Sequence, residues 1–329
     1  MKRIVVALGG NALQKPEEPP TAENQLKNAE ITAGHLAKII AGGYQVAITH
    51  GNGPQIGRIM LQNEAAKDIT PPMPMDVCGA MSQGMIGYHI QQSLGKKLLE
   101  IGMYKPVATV ITQVVVDEKD KAFENPTKPV GPFYTEKEAK RLQKEKGYIM
   151  KEDANRGWRR VVPSPIPMEI AEIEVIKRLL DSDVVVIAVG GGGIPVIKDE
   201  KGNLKGVEAV IDKDYASTKL AQDLDADLLM ILTAVDGVCI NFGKPNERKL
   251  GRVTTTELEE YKKEGHFASG SMLPKVDAAI EFVKSKRGRK AIITSLEKAI
   301  QGLEGEVGTV ITEEGYDEGI CCCRCANSG

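Results

Sequence analysis

Two lysines and an aspartate stand where a helix is expected to begin. Lys213 and Asp214 lie in Val210-Ile211-Asp212-Lys213-Asp214-Tyr215, directly after an apolar run, and Lys275 closes Gly270-Ser271-Met272-Leu273-Pro274-Lys275. A lysine at a helix N-terminus sets a mobile point charge beside backbone amides that already favour anions. Singly, each reads as an exposed charge. Three glycine-bearing turns shift that balance: Leu8-Gly9-Gly10-Asn11, Thr49-His50-Gly51-Asn52-Gly53-Pro54 and Gly190-Gly191-Gly192-Gly193, each after an apolar β-type run. Without a Cβ, glycine lets backbone N–H groups approach an anion closely. The combination points to phosphate, with Asp214 pairing with the lysines to hold them.

Neither standard nucleotide motif is present. There is no G-x-x-x-x-G-K-[ST], and Gly51-Asn52-Gly53 lacks the third glycine of G-x-G-x-x-G. His35, His50, His89 and His266 pair with no Ser or Cys in a nucleophile pattern and show no metal spacing. His35 and His89 read as surface or satisfied core residues, whereas His50 borders a glycine turn and could line the site. Cys78 and Cys239 read as buried small hydrophobes. Cys321, Cys322, Cys323 and Cys325 lack the paired spacing and the His of a zinc site, so the segment after Ile311 is expected to be a disordered tail without function.

These residues need a scaffold, and strand and helix signals alternate to supply one. Strands are expected at 2–8, 46–49, 106–112, 184–189, 228–233 and 290–294, with a last edge strand at 308–311. Helices are expected at 23–41, 55–67, 76–101, 170–180, 215–224, 255–264 and 275–286. Asp199-Glu200-Lys201-Gly202-Asn203 reads as a hairpin tip. The pattern predicts an α/β fold, a three-layer αβα sandwich around an open, mostly parallel sheet. The stretch 117–167 breaks the rhythm. It is charged and proline-punctuated, has no obvious buried strand, and is too long for a plain connection, so it reads as a protruding lid subdomain. The expected organisation is an N-terminal lobe at 1–212 carrying that lid, a nucleotide-binding lobe at 213–312, and a tail at 313–329.

Composition narrows the partners. Apolar content of 42% and charged content of 27% suit a globular protein, and 329 residues can bury a large core. Aromatics at 4% and a net charge of -2 argue against nucleic acid. No apolar stretch reaches the length of a membrane span. Met1-Lys2-Arg3 leads straight into a strand, which gives the expectation of no removable leader and of cytoplasmic residence.

Taken together, the three glycine turns, Ala209-Val210-Ile211-Asp212-Lys213-Asp214 and Gly270-Ser271-Met272-Leu273-Pro274-Lys275 resemble the carbamate kinases of the amino acid kinase family. The motifs run in the same order from Met1 to about Ile311. Lys128-Pro129-Val130-Gly131-Pro132 and Arg159-Arg160-Val161-Val162-Pro163-Ser164-Pro165 resemble the lid segments of that group. The resemblance implies reversible, Mg²⁺-dependent phosphoryl transfer between ATP and carbamate, giving ADP and carbamoyl phosphate, usually run toward ATP in arginine breakdown. It also implies a homodimer. Gly9, Gly10 and Asn11 would meet the transferring phosphate, and Gly51, Asn52, Gly53, Gly191, Gly192 and Gly193 would surround carbamate. Lys213 and Lys275 would neutralise phosphate oxygens, organised by Asp214, and Lys128 would reach in from the lid. Ala234, Val235, Asp236, Gly270, Ser271 and Met272 would border the nucleotide, and no residue is assigned to a metal. The competing expectations are a sister kinase acting on another carboxylate or phosphonate, a non-catalytic nucleotide-binding regulator, and a nicotinamide oxidoreductase, which lacks its fingerprint.

Overall fold

The computed structural model describes residues 1–15, 17–153 and 156–315. The first half runs β1 (Arg3–Leu8), α1 (Ala22–Ala41), β2 (Gln45–His50), α2 (Gly53–Ala65), α3 (Met75–Glu100), β3 (Val107–Thr109) and β4 (Gln113–Val115). The charged stretch follows as β5 (Lys128–Tyr134), α4 (Glu136–Lys146), β6 (Met150–Glu152) and β7 (Trp158–Val162). Next come β8 (Glu169–Ile170), α5 (Ile173–Asp181), β9 (Val185–Ile187), β10 (Ile194–Lys198) and β11 (Leu204–Gly206). The last third runs α6 (Lys213–Asp223), β12 (Leu228–Thr233), β13 (Cys239–Ile240), β14 (Arg248–Lys249), β15 (Arg252–Thr254), α7 (Thr255–Lys263), α8 (Met272–Lys284), β16 (Lys290–Ser295), α9 (Ala299–Leu303) and β17 (Thr309–Thr312).

One eight-stranded sheet, ordered β15-β17-β16-β12-β1-β2-β9-β3, forms the middle layer. Its pairings are parallel except β16 with β17. Successive side chains of β1 point to opposite faces, which builds two cores. Val5 and Ala7 pack with Ala216 and Leu220 of α6 and with Val276 and Phe282 of α8. Ile4, Val6 and Leu8 pack with Leu36 and Ile40 of α1 and with Ile90, Leu94 and Leu98 of α3. The α/β sandwich expected from the alternation is what forms. No helix among the described residues is long and apolar enough to cross a membrane.

Strand order reverses at β1, which lies between β12 and β2. In open parallel sheets the crevice beyond the strand C-termini at such a switch point is where ligands bind. The turns after β1, β2 and β9 are the three glycine turns, so the topology gathers them at one end of the sheet.

Several expectations need correction. The strand foreseen at 106–112 stops at Thr109, and the chain changes sheets to enter β4, which pairs with β8 and β10. By Thr112 the backbone has left the first sheet: its N–H donates to the Gln83 side chain, its hydroxyl to Val110 O, and its carbonyl accepts from Ile194 N of β10. The last strand is not an edge: β17 lies between β16 and β15. Residues 117–167 do contain strands, for β5, β7 and β6 form an antiparallel sheet with Val130, Met150, Val161 and Val162 buried. Helix α6 starts at Lys213, capped by the Asp212 carboxylate. Cys78 is buried as expected, but Cys239 is only half-buried. The cysteine-rich tail lies outside the described residues.

Candidate active site

Asp214 sits in the first turn of α6, where its negative charge meets the positive end of the helix dipole. Its carboxylate is 2% exposed and lies between two ammonium groups. Oδ1 is 2.5 Å from Lys213 Nζ and Oδ2 is 3.1 Å from Lys275 Nζ. Burial alone would raise the Asp214 pKa, but the two lysine charges outweigh it and hold the carboxyl below the usual range. Lys275 reaches the pair from the first turn of α8 and also donates to Ser271 O at 3.2 Å. Pro274 fits beside it, since a first-turn residue has no intrahelical partner for an N–H.

A third ammonium arrives from the peripheral sheet. Lys128 Nζ, at the start of β5, lies 2.5 Å from Asp212 Oδ2, while Asp212 Oδ1 accepts from Asp214 N at 2.9 Å. Asp212 thus caps α6 and anchors Lys128 at once. Its role as an anchor went unassigned from sequence, although an aspartate directly before a helix start carries the N-cap signal.

These groups line a cavity of about 250 Å³ together with Gly10, Gly51, Asn52, Gly53, Gly191, Gly270 and Ser271. Gly51 lies beside the Lys213 side chain, where a Cβ would sit in van der Waals contact with Cδ at 3.4 Å. Gly191 has φ +68°, and a Cβ on it would fall 2.1 Å from Asn52 Nδ2. Glycine is required there on both counts.

A second cavity of about 780 Å³ adjoins the first, and both are lined by Ser271 and Lys275. Ala234, Val235, Asp236 and Met272 line it, along with Cys239, Phe242 and Phe267. Its size and mixed lining suit a nucleotide, and the shared lysine marks where a polyphosphate would cross to the smaller cavity.

Not every expected residue faces these spaces. Gly9 turns toward β12, donating its N–H to Leu232 O at 3.0 Å, so it meets the strand and not the cavity. Gly192 is pressed on Ile211 O and Gly193 on Val114, so both support the floor from behind. Asn11 lies in the short 3₁₀ turn Gly10–Ala12. Gly270 borders the smaller cavity, not the larger one. His50 is 1% exposed and packs behind Gly190, with its pKa lowered to about 4 by burial, so it stays neutral. Ile56, Val130 and Ile211, apolar walls of the smaller cavity, were assigned no role from sequence.

The profile of the amino acid kinase family matches residues 2–295. The chain is 56% identical over 313 residues to a carbamate kinase from Pyrococcus horikoshii, covering 94% of this chain and 99% of that one. It is 54% identical over 315 residues to carbamate kinase 1 of Enterococcus faecium, covering 95% and 99%. Among solved structures, a carbamate kinase from Giardia lamblia bound to AMP-PNP matches with a TM-score of 0.90 and 51% identity, covering 95% of this chain and 99% of the other.

Proposed function

Because the chain belongs to the amino acid kinase family, on its carbamate kinase branch, we propose that it transfers a phosphoryl group reversibly between ATP and carbamate. One observation carries the reading. Three lysines converge on a cavity floored by glycine turns, and that cavity adjoins a larger one at Lys275. The adenine nucleotide would occupy the larger space, with its terminal phosphate meeting Lys213 and Lys275. Carbamate or carbamoyl phosphate would occupy the smaller one, against Gly51, Asn52 and Gly191.

The chemistry asks little of the side chains beyond placement. Carbamate oxygen is already anionic, so no general base is needed to make it attack phosphorus. The neutral, buried His50 is consistent with that. What remains is to hold two anions in line and to offset charge on the transferring group. Lys213 and Lys275, aimed by Asp214, and Lys128, aimed by Asp212, would neutralise phosphoryl oxygens while amides of the glycine turns donate to them.

Asp212 and Asp214 are each engaged by ammonium groups, and no cluster of three metal-type ligands occurs among the described residues. In this reading Mg²⁺ comes with the nucleotide substrate. Bound to phosphate oxygens, it adds charge neutralisation to the transfer. The reading extends to net ATP formation in arginine breakdown, to cytoplasmic residence and to a homodimer.

The test is ATP synthesis from ADP and carbamoyl phosphate, with and without Mg²⁺, run beside acetylglutamyl and aspartyl phosphates. Mg²⁺-dependent turnover with carbamoyl phosphate alone is expected. Preference for another acyl phosphate overturns the substrate assignment.

A further inference from the structure

Helix α3 contributes no residue to the smaller cavity, yet two of its neighbouring side chains grip two of the turns that line it. Gln83 is 2% exposed, and its carboxamide makes three hydrogen bonds to main chain. Thr112 N donates to Oε1 at 2.8 Å, and Nε2 donates to Thr112 O at 3.1 Å and to Gly190 O at 3.0 Å. Ser82, fully buried, accepts from Asn52 Nδ2 at 2.8 Å and donates to Gly79 O at 2.6 Å. One residue thus holds the turn after β9, and its neighbour holds the turn after β2.

The turn after β9 needs holding. Val189, which precedes Gly190, has φ 53° and ψ 35°, a left-handed conformation that a β-branched residue adopts only under constraint. Its N–H donates to Thr112 Oγ1 at 2.9 Å, and Thr112 is the residue that Gln83 clasps on both sides of its peptide. Gly190 is itself pressed between His50 and Gln83, since a Cβ there would lie 2.5 Å from Nε2 of the first and 3.0 Å from Cγ of the second. Helix α3 lies close enough to do this because Gly87 packs on Thr109, where a Cβ would fall 2.3 Å from Cγ2.

We infer that Gln83, seconded by Ser82, is a positioning residue for the acceptor half of the site: it fixes the strained turn at Val189 and Gly190, and hence where Gly191 and Asn52 meet the acceptor. The inference rests on the reading that these turns bind carbamoyl phosphate. It separates the two substrates, because the nucleotide cavity is lined by none of the residues that Gln83 and Ser82 hold.

The experiment compares Gln83→Met, Gln83→Glu and Ser82→Ala with the unaltered protein, measuring kcat, KM for carbamoyl phosphate, the Kd for ADP, and the melting temperature. Met removes all three hydrogen bonds at similar volume. Glu keeps the acceptor for Thr112 N and, when protonated, one donor. For Gln83→Met, KM for carbamoyl phosphate is expected to rise about tenfold or more and kcat to fall by a similar factor, as displacements of about an ångström produce. ADP affinity should stay within about twofold, because its contacts are untouched. Gln83→Glu should recover part of the loss, and Ser82→Ala should shift KM in the same direction by about threefold. Parallel changes for both substrates, or an unchanged acceptor KM in a folded variant, overturn the inference. Should Gln83→Met fail to fold, Ser82→Ala decides in the same terms. Unaltered protein that makes no ATP from carbamoyl phosphate sinks the substrate reading, and this inference with it.

Discussion

Replacing Asp214 by Asn keeps the shape of the side chain and removes one negative charge from between two ammonium groups. Its oxygens lie 2.5 Å and 3.1 Å from Lys213 and Lys275. At an effective permittivity of about 20, each pair carries about 5–7 kcal/mol of gross attraction. Desolvation of the carboxylate, which is 2% exposed, cancels much of that. Removing one member of such a buried cluster leaves a net loss of about 3–5 kcal/mol, since two like charges then face each other. For a chain of this size that corresponds to a fall in melting temperature on the order of 10 °C. Ligand binding should reverse part of it. Phosphate oxygens supply the missing negative charge, so saturating ADP should raise the variant's midpoint further than it raises that of the unaltered protein. Turnover should drop about a hundredfold or more, because the lysines lose their aim. Thermal melts with and without ADP, beside coupled ATP synthesis, read both effects. A variant that melts within about 2 °C of the parent and keeps turnover within about threefold would refute the claim that Asp214 organises the lysines.

Three more outcomes are expected. Lys128→Ala should lower kcat about a hundredfold while ADP affinity, measured by calorimetry, stays put, because Lys128 lines only the smaller cavity. Gly191→Ala should abolish acceptor binding and lower the urea midpoint, since the new methyl meets Asn52 Nδ2 at 2.1 Å on a backbone with φ +68°. Stability should also fall as pH drops from about 6.5 to about 4: His50 titrates at about 4 in the fold and near 6.5 unfolded, so the unfolded chain takes up protons first and about 3 kcal/mol is lost across that window. His35 and His89, likewise lowered by burial, add to the loss as pH falls below about 6.5, whereas the contribution of Asp214 persists until pH falls through its depressed value. Urea midpoints at three pH values check this, and a flat profile contradicts the buried, neutral His50.

The parts of the site legible in the sequence were those whose chemistry is local. A glycine turn after an apolar run announces a close backbone approach, and Gly10, Gly51 and Gly191 do border the cavity. Lys213 and Lys275 were legible because each lies in the first turn of a helix, and Asp214 because it adjoins Lys213. What stayed hidden depends on pairing across the chain. Lys128 meets Asp212 from 84 positions away, and no spacing rule reaches that far. Gln83 looks like an ordinary polar position on a helix until Thr112 and Gly190 are folded against it, and Ser82 until Asn52 is. The resemblance set Gly9, Gly192 and Gly193 beside the substrates, but glycine type does not tell which way a turn faces: Gly9 N–H turns to Leu232 O, and Gly192 and Gly193 press on Ile211 and Val114. The end of the strand at Thr109, before the chain enters a second sheet at Gln113, was invisible for the same reason, because Thr112 meets its partner Gln83 only in the folded chain.

The pairing of β1 with β12 has a mechanical consequence. Five consecutive residue pairs join the two halves of the sheet, from Ile4 with Leu228 to Leu8 with Leu232, so prising the halves apart would tear a buried ladder. Among the described residues the sheet of β5, β6 and β7 shares no ladder with it; the sheet and α4 meet the rest through a small apolar patch and through charge pairs, Lys128 with Asp212, Lys146 with Glu64 and Arg160 with Glu208. These charge pairs are partly open to solvent, so salt should weaken the attachment of this small sheet while leaving the central ladder untouched.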